Sequence, residues 1–520
     1  MPAAKEMSGT ATMRGQFPTR PAEVIPPSRR EQVIFILMAV VLVLPPWLIG
    51  ARENWAQWVT LFLALLAFGA IFVPLADFRA WPPSPTARMG WNRLAKFPIF
   101  WIGLAILIYG VLAALNPSRV LMIADQREWL EPRPHTAWLP HSILTSFWPM
   151  NAWRALLIIV PAWLATCAVW VGLETEQAWH RLLAAAAVNG LLLALFGIIQ
   201  RMANAPNMFW FYIPQSSSGD QTFFGSFVYA GHAAAWMVLA CGAAAAMMDR
   251  HLRQRDPAAP SAKWGWPEQT AWLWVGVLAA VVVALGVFVK PHFWLLALGG
   301  VMVIYAWLWL RRWWLEGQKR RAALYALPAL VFMAILLTAT TGAAWWWHQG
   351  GAGAMEVNPH DASLPVRYAI ARTSAVMIKD EPWWGWGPGS FRYVAPFYLR
   401  DNPLFADPNK SGDVRFTSSF AHSDWVQIPA EWGLVGAIMF AALPLWWVGQ
   451  AWRLRHILPG ESRILLGTVA LIFIGAAADF PFYNPAVLIA VGVLTAAAIK
   501  LGEIAARPRP LLSKVRVVCP

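Results

Sequence analysis

The chain has 520 residues, of which 58% are hydrophobic and only 13% are charged. Soluble domains are about 45–50% apolar and about 25% charged, so these figures exclude a soluble multidomain protein and a disordered chain. The 41 Lys and Arg exceed the 27 Asp and Glu, which in a soluble protein would favour nucleic-acid binding, but in a membrane protein basic cytoplasmic loops account for the excess. We therefore expect a polytopic membrane protein with no nucleic-acid partner.

Twelve apolar runs come close to the length of about 20 residues that crosses a bilayer. They predict an all-α fold, a transmembrane helical bundle of about 12 spans. The predicted spans are Val33–Gly50, Trp55–Ala76, Phe97–Leu115, Trp153–Leu173, Leu182–Ile199, Phe227–Met248, Ala271–Val289, Phe293–Leu310, Ala322–Ala344, Leu434–Trp452, Ile464–Ala478 and Pro485–Leu501.

Lys and Arg are distributed unevenly between alternate connections. The connections on the side of the N-terminus hold 27 of them, whereas the short loops on the other side hold six. Because cytoplasmic loops carry this excess, both termini are predicted to be cytoplasmic. The predicted organisation is a cytoplasmic tail at 1–32, spans one to nine at 33–347, a large outer loop at 348–432, spans ten to twelve at 433–501 and a cytoplasmic tail at 502–520.

Three predicted outer segments, residues 116–151, 200–226 and 348–432, are too long to be simple connectors. Long segments in compact proteins are usually functional or disordered. The third segment is rich in Trp, Gly, Pro and basic residues, whereas a disordered linker would be poor in aromatic residues. We predict that this large loop is partly helical and contains the catalytic or binding element.

The large loop begins with a predicted helix and a glycine-rich turn. Pro365 opens the helix, since Pro is tolerated at the first helical position. Gly385, Gly387 and Gly389 follow beside prolines, and this pattern predicts turns with positive φ. The turn is not a dinucleotide-binding fingerprint, because no strand–turn–helix unit surrounds it.

The loop returns to the membrane through a short polar block that includes His422, Asp424, Gln427 and Glu431. A single His near the start of a helix more often caps or hydrogen-bonds than acts as a base. The crowding of polar residues beside a basic loop favours a functional site. Trp residues in such a protein usually mark the membrane interface, but Trp383, Trp384 and Trp425 are candidates for stacking on a sugar ring.

This order of motifs resembles the O-antigen ligase and O-antigen polymerase superfamily. A weaker likeness surrounds His232, where Gly231 stands in place of the usual Asn. The clearer likeness rests on Arg367, Gly385-Trp386-Gly387-Pro388-Gly389, His422-Ser423-Asp424-Trp425, Ala430-Glu431-Trp432-Gly433-Leu434-Val435-Gly436 and Ala478-Asp479-Phe480-Pro481-Phe482.

The resemblance implies a GT-C-like glycosyltransferase of the bacterial inner membrane. It would transfer or polymerise a glycan from an undecaprenyl-pyrophosphate donor at the periplasmic face, so its partners would be that donor, a glycan or lipid A core acceptor and membrane lipids. Ligase and polymerase differ only in the acceptor, and the residues leave this choice open.

The residue types agree with this chemistry. A leaving pyrophosphate needs fixed cations, and Arg367, Arg372 and Lys290 are candidates for that role. An acceptor hydroxyl needs a base near neutral pH, which His422 could supply, oriented by Asp424 or Glu431.

Further candidates for substrate binding are His232, Trp425 and the segment around Lys290. The superfamily usually has a Ser-Arg pair in that segment, whereas this chain has Lys290-Pro291-His292. Lys keeps the charge but lacks the bidentate grip of Arg, so either Lys290 or His292 would take over the role. The outer loops contain no Asp-x-Asp pair, and we expect neither a metal ion nor another cofactor.

Two other classes of function stay open at this point. A transporter or flippase for lipid-linked glycans would also need many spans, but the spans have few ionisable residues and show no internal repeat. A non-catalytic envelope assembly protein would not depend on His422.

Overall fold

The computed structural model describes residues 28–73, 87–124, 127–148, 150–213, 223–253, 364–400 and 418–507, with a few single residues between them. Labels below count the described elements in chain order. The helices are α1 (Arg29–Trp47), α2 (Asn54–Ala70), α3 (Ala87–Ala95), α4 (Pro98–Leu115), α5 (Ala152–Gly172), α6 (Glu176–Met202), α7 (Ala230–Arg253), α8 (Leu364–Asp380), α9 (Phe391–Leu399), α10 (Asp424–Leu454), α11 (Gly460–Gly475) and α12 (Pro485–Ala506), with short 3₁₀ helices at Ile49–Ala51 and Pro481–Tyr483.

Seven of the described helices, α1, α4, α5, α6, α7, α10 and α12, are long and apolar enough to cross a membrane, and α2 is a shorter apolar helix. The prediction of a polytopic helical membrane protein is confirmed. The described residues contain a helix at every predicted span except three. Of Ala271–Val289 only the helical residues Trp274, Val277 and Val281 are described, and Phe293–Leu310 and Ala322–Ala344 lie outside the described residues. The total of twelve spans therefore stays a prediction.

Short polar side chains begin several of these helices. Ser28, Asn151, Thr175 and Asn484 precede α1, α5, α6 and α12, and each side-chain oxygen accepts a hydrogen bond from a backbone N–H of the first turn. Such caps satisfy donors that have no partner within the helix. Apolar runs alone set the centre of each helix, and the caps set its first residue.

The helices α5, α7 and α12 form the centre of the bundle, whereas α4 and α10 present most of their surface outward. Small residues allow the central helices to approach closely. A Cβ atom on Gly190 would overlap Ala240 of α7, and one on Gly242 would overlap Thr468 of α11. This packing of small residues is typical of helix contacts in membranes. Because lipid tails are as apolar as a neighbouring helix, close van der Waals packing, and not the hydrophobic effect, holds the helices together.

A three-stranded sheet fills part of the first long segment, so the all-α prediction was wrong in this detail. Strands β1 (Pro117–Ala124) and β2 (Arg127–Pro132) pair antiparallel, and β3 (Ser142–Leu144) joins β1 in parallel. The register places Arg119 opposite Pro132 and Ala124 opposite Arg127. Strand β1 does not alternate between buried and exposed residues, and β3 has only three residues, so the sequence lacks the period of two that predicts strands.

A sharp break divides α10 at Gly433, where the predicted large loop meets the predicted span. Gly433 has φ 62° and ψ −175°, a conformation that is essentially confined to glycine. The break directs the segment Asp424–Trp432 away from the axis of the span that follows it.

The glycine-rich turn supplies the hydrogen bonds that the break removes from α10. The N–H groups of Trp386 and Gly387 donate to the carbonyls of Ala430 and Glu431 at 2.9 and 2.8 Å. In return, the N–H groups 434 and 435 of α10 donate to the carbonyls of residues 382 and 383 at 2.8 and 3.3 Å. In an unbroken helix these four groups would pair with one another. The predicted positive φ at all three turn glycines is confirmed.

Candidate active site

Four segments meet at one end of the bundle, and together they carry most of the predicted site residues. They are the start of α8, the residues before α10, the connection 476–483 between α11 and α12, and the start of α7. Phe480 lies at their centre, because its ring stacks with Phe420 at a centroid distance of 4.3 Å and with Tyr229 at 4.9 Å.

His422 lies against this stack, with its ring edge-on to Phe480 at 5.3 Å. Its φ of +52° is in the left-handed region, which costs a non-glycine residue roughly 1–2 kcal/mol. Hydrogen bonds on both sides hold this conformation: the Ala421 N–H donates to Gln427 Oε1 at 2.8 Å, and the Asp424 N–H donates to the Ala476 carbonyl at 2.9 Å. Such strain at a polar residue is often functional.

The imidazole of His422 is held neutral. Its Nδ1 is buried and has no hydrogen-bond partner among the described residues. Burial, together with the smaller effect of the positive charge of Arg367, lowers the pKa of His422 to about 4. The ring is therefore unprotonated at neutral pH and can accept a proton.

Arg367, in the first turn of α8, lies within electrostatic reach of His422. Its Nη1 donates to the Ala478 carbonyl at 2.6 Å, which fixes the side chain to the connection between α11 and α12. Its Nε is buried and has no partner among the described residues. The guanidinium is thus anchored through one nitrogen and retains donors for an anion.

Asp424 is buried and joins α10 to the connection after α11. Its Oδ2 accepts from the Phe482 N–H at 2.9 Å, and its own N–H also lies 3.1 Å from the Asp479 carbonyl. Its Oδ1 has no hydrogen-bond partner among the described residues. Asp424 therefore shapes the loop that carries His422 and Phe480.

Glu431 is fully buried, and four donors surround its carboxylate. The N–H groups of Gly389 and Phe391 donate at 2.9 and 3.2 Å, and the side chains of Gln427 and Tyr483 donate at 3.1 and 2.7 Å. These bonds tie the glycine-rich turn, α10 and the 3₁₀ helix before α12 together. The position of Glu431 points to a structural task, and none of these bonds involves His422.

His232 joins the same cluster from the start of α7. It is buried, with Nε2 3.1 Å from the Phe480 carbonyl and its ring edge-on to Tyr229 at 5.0 Å. The Tyr229 hydroxyl donates to Asp479 Oδ1 at 3.1 Å. These contacts tie His232 to the connection that carries Phe480, and its predicted role in substrate binding stays a prediction.

The remaining predicted residues do not join this cluster. Arg372 is exposed on α8, five positions and roughly 140° of helix rotation from Arg367. Trp425 has 60% of its surface exposed, and its Nε1 donates to the Phe473 carbonyl at 2.9 Å, as expected for an interfacial Trp. Lys290 and His292 lie outside the described residues.

Three arginines lie beside this site and form what we call the arginine cluster: Arg52, Arg154 and Arg392. No sequence pattern predicted this cluster. Their guanidinium groups lie within electrostatic reach of one another, and Arg52 also acts on His232. Arg154 gave a usable signal, because a charged residue at the edge of an apolar span is unusual. The convergence itself could not be read from the sequence, since about 340 positions separate the first residue from the last.

The small sheet braces the glycine-rich turn. Arg119 of β1 forms an ion pair with Glu381 at 2.9 Å and stacks over Trp386 at 4.4 Å. A Cβ atom on Gly387 would overlap the backbone of Ser142, so the turn and the sheet are in direct contact. The first long segment thus helps to hold the large loop in place.

Another polar cluster lies far from this site. Glu176, His180 and Glu461 are close enough to hold a metal ion, but Glu461 begins α11, whereas the site lies beyond the end of that helix. Glu176 lies 3.6 Å from Nδ1 of His180, and Glu461 lies 3.2 Å from Nε2. The two carboxylates therefore lie on opposite sides of the imidazole and do not face the same ring nitrogen. Arg250 also approaches Glu176 at 3.9 Å.

The main site therefore combines a neutral imidazole, an anchored guanidinium with free donors and a second group of cations nearby. Such an arrangement can take a proton from a hydroxyl and stabilise negative charge on a phosphorylated leaving group.

Comparison with known proteins agrees with the resemblance seen in the sequence. Residues 293–441 match the family model described as O-antigen ligase. Within the described part of the chain, this match includes Arg367, the glycine-rich turn, His422 and Glu431. The resemblance to the O-antigen ligase and polymerase superfamily is confirmed. No curated protein matches the chain.

Proposed function

We propose that the protein transfers a glycan from undecaprenyl pyrophosphate to an acceptor hydroxyl. The match of residues 293–441 to the O-antigen ligase model supports this proposal, because that family belongs to the membrane glycan ligases and polymerases. The acceptor is a sugar of a lipid A core or of a second lipid-linked glycan. The observation that carries this proposal is that Arg367, anchored on the Ala478 carbonyl, lies within electrostatic reach of a neutral His422 inside the matched region.

His422 acts as the general base in this proposal. The acceptor hydroxyl gives its proton to the neutral imidazole while its oxygen forms the bond to the anomeric carbon of the donor glycan. The bond from that carbon to the pyrophosphate oxygen breaks, and undecaprenyl pyrophosphate leaves with the electron pair. The low pKa of His422 keeps the base unprotonated in the free protein. An anion bound at Arg367 offsets the charge of that arginine and so raises the basicity of His422 at the moment when it is needed.

Arg367 stabilises the leaving group. Its bond to the Ala478 carbonyl fixes the plane of the guanidinium, and its buried Nε is available to a phosphate oxygen. A preorganised cation of this kind lowers the barrier, because negative charge grows on the bridging oxygen as the glycosidic bond breaks. Asp424 and His232 hold the connection that both residues contact, and we assign them positioning roles.

This proposal places the site at the periplasmic face of the bacterial inner membrane, with both termini in the cytoplasm. Reporter fusions give a direct test of the topology. A fusion after Asn402 should report the periplasm, and a fusion after Arg255 should report the cytoplasm. A cytoplasmic signal at Asn402 would contradict the mechanism, because the donor glycan is used outside the cytoplasm.

Transfer by purified protein tests the chemistry. His422→Asn is the sharpest variant, since Asn tolerates the left-handed conformation and keeps hydrogen bonding but is not a base. We expect it to lose about 10²–10⁴-fold in rate while remaining folded in detergent. Arg133→Gln, a change of an exposed arginine just after β2, is the control and should keep its activity. An active His422→Asn variant would contradict the general-base role, and a wild-type protein that moves lipid-linked glycan across vesicles without forming product would favour a transporter.

A further inference from the structure

The arginine cluster draws its members from three separate parts of the fold. Arg52 lies between α1 and α2, Arg154 in the first turn of α5, and Arg392 in the first turn of α9. Arg154 Nη2 donates to the Arg52 carbonyl at 2.8 Å, and Arg154 Nε donates to Gln57 Oε1 at 3.2 Å. The hydroxyl of Tyr393, next to Arg392, donates to the Met150 carbonyl at 2.7 Å, so the start of α9 lies beside the start of α5. The three arginines therefore converge on one region of the fold, within electrostatic reach of one another.

Within the described part of the chain, two carboxylates act electrostatically on the three arginines of this cluster. Glu53 is buried and acts on Arg52 and Arg154, while Glu128 acts on Arg392 from an exposed position where water screens its charge. Three cations close together in a partly buried region repel one another, and burial alone makes each of them costly. A bound anion would remove both penalties.

The surrounding bonds hold the cluster in a fixed arrangement. Glu431 accepts from the N–H groups of Gly389 and Phe391, which fixes the start of α9 and thereby Arg392. On the other side, Asn484 Nδ2 donates to the Gly50 carbonyl at 2.7 Å, which fixes the turn before Arg52. Cations that are held in place before binding pay little entropy when the anion arrives.

The cluster is distinct from the cation that accompanies the proposed base. Arg52 acts on Tyr229 and His232, whereas Arg367 acts on His422. The stacked ring of Phe480 lies between these two groups, in contact with Tyr229, His232 and His422. The site end of the bundle thus has two cationic positions joined by an aromatic stack.

We propose that the arginine cluster is a second anion subsite, which binds a phosphate or pyrophosphate group carried by the acceptor while the donor pyrophosphate lies at Arg367. This inference rests on the proposed function, because it assigns the second anion to the acceptor of that reaction. It implies that the acceptor is recognised through a phosphorylated group as well as through its sugar.

Calorimetric titration of the full-length protein in detergent with farnesyl pyrophosphate tests this inference without any turnover. The wild type should bind two equivalents. Arg392→Gln should weaken one of them about 10- to 100-fold, because a charge-assisted contact is lost, and leave the other within about twofold. Arg367→Gln should weaken the other equivalent instead. Arg52→Gln provides a second test of the cluster if Arg392→Gln does not fold.

Controls separate the anion from the lipid. Arg133→Gln should bind as the wild type does, and farnesol should not occupy the second site. If inorganic pyrophosphate fills the second site, the free anion is sufficient for binding. If only farnesyl pyrophosphate binds there, the isoprenoid is needed as well. Both results support the subsite. A single equivalent in the wild type, or loss of all binding in Arg392→Gln, would overturn it. Two-site binding in a protein that forms no product would contradict the proposed function alone.

Discussion

Gly433, where α10 is broken, and His422, the proposed base, lie eleven residues apart. The polar atoms around these two residues differ in whether they have hydrogen-bond partners. Around Gly433, four backbone groups freed by the break pair with residues of the glycine-rich segment, and Glu431 accepts four hydrogen bonds. Around His422, buried atoms of His422, Arg367 and Asp424 have no hydrogen-bond partner among the described residues. Buried polar groups in native proteins are normally satisfied. Other buried atoms of the described residues also have no partner, but here three such side chains lie around one aromatic ring, and we infer that a substrate meets them.

This contrast separates support from chemistry within one block of sequence. The sequence predicted His422 as the base, oriented by Asp424 or Glu431. In the structure Glu431 accepts four hydrogen bonds from the scaffold, whereas His422 and Arg367 each have a buried nitrogen without a partner among the described residues. The predictions below test that division, from the largest expected effect to the smallest.

Gly433→Ala should disrupt the hydrogen bonds between α10 and the glycine-rich turn. Alanine at φ 62° and ψ −175° is strained, and its Cβ would overlap the Trp383 carbonyl, so we expect a loss of about 3 kcal/mol or more and little folded protein in the membrane. Gly449→Ala, in the same helix with open space around the added Cβ, is the control and should be tolerated. Normal levels of folded Gly433→Ala protein would show that the break is not required.

Arg367→Lys should affect chemistry and leave folding intact. Lysine keeps the charge but not the planar fork, so we expect about a hundredfold loss in kcat/KM, or about 3 kcal/mol in the barrier. Transfer assays on purified protein measure this loss, with Arg133→Lys as the matched change at an exposed arginine. If the Arg367→Lys variant were unfolded, the role of Arg367 would be structural and not chemical.

Glu431→Gln should affect stability more than chemistry. The amide NH₂ would face donors that now approach a carboxylate oxygen, and we expect a loss of roughly 1–3 kcal/mol, seen as a lower Tm in detergent. Glu131→Gln, at an exposed position in β2, should leave the Tm unchanged. Unchanged stability together with a severe loss of transfer would place Glu431 in the chemistry after all.

The stability of the substrate-free protein should depend weakly on pH through His422. Its pKa in the folded protein is about 4, below the ordinary value of about 6.5, so the unfolded chain binds more protons between these values. The contribution to stability is therefore complete above pH 6.5 and is lost as the pH falls toward 4. Between pH 7 and pH 6 the loss is about 0.7 kcal/mol. His422→Asn should reduce the change in Tm between these two pH values, and an identical change in both proteins would contradict the low pKa.

The sequence predicted the parts of the protein that depend on local pattern. Apolar length located the nine predicted spans that the structure describes, although α10 begins ten residues before the predicted Leu434, and the order of motifs singled out Arg367 and His422. The three-stranded sheet was missed because β1 does not alternate between buried and exposed residues and β3 has only three residues. The arginine cluster and the exchange of hydrogen bonds at Gly433 were missed because each joins residues that are distant in the chain, and no periodicity records such a meeting.

Chemical rescue of His422→Gly tests the central claim most directly. Glycine suits the backbone at φ +52°, and removal of the side chain leaves room for an added imidazole beside Phe480. If His422 is the base, the inactive variant should regain transfer as imidazole is added, and substituted imidazoles should rescue in the order of their basicity. Absence of rescue in a folded variant, or equal rescue by a ring of the same size that is not basic, would contradict the account.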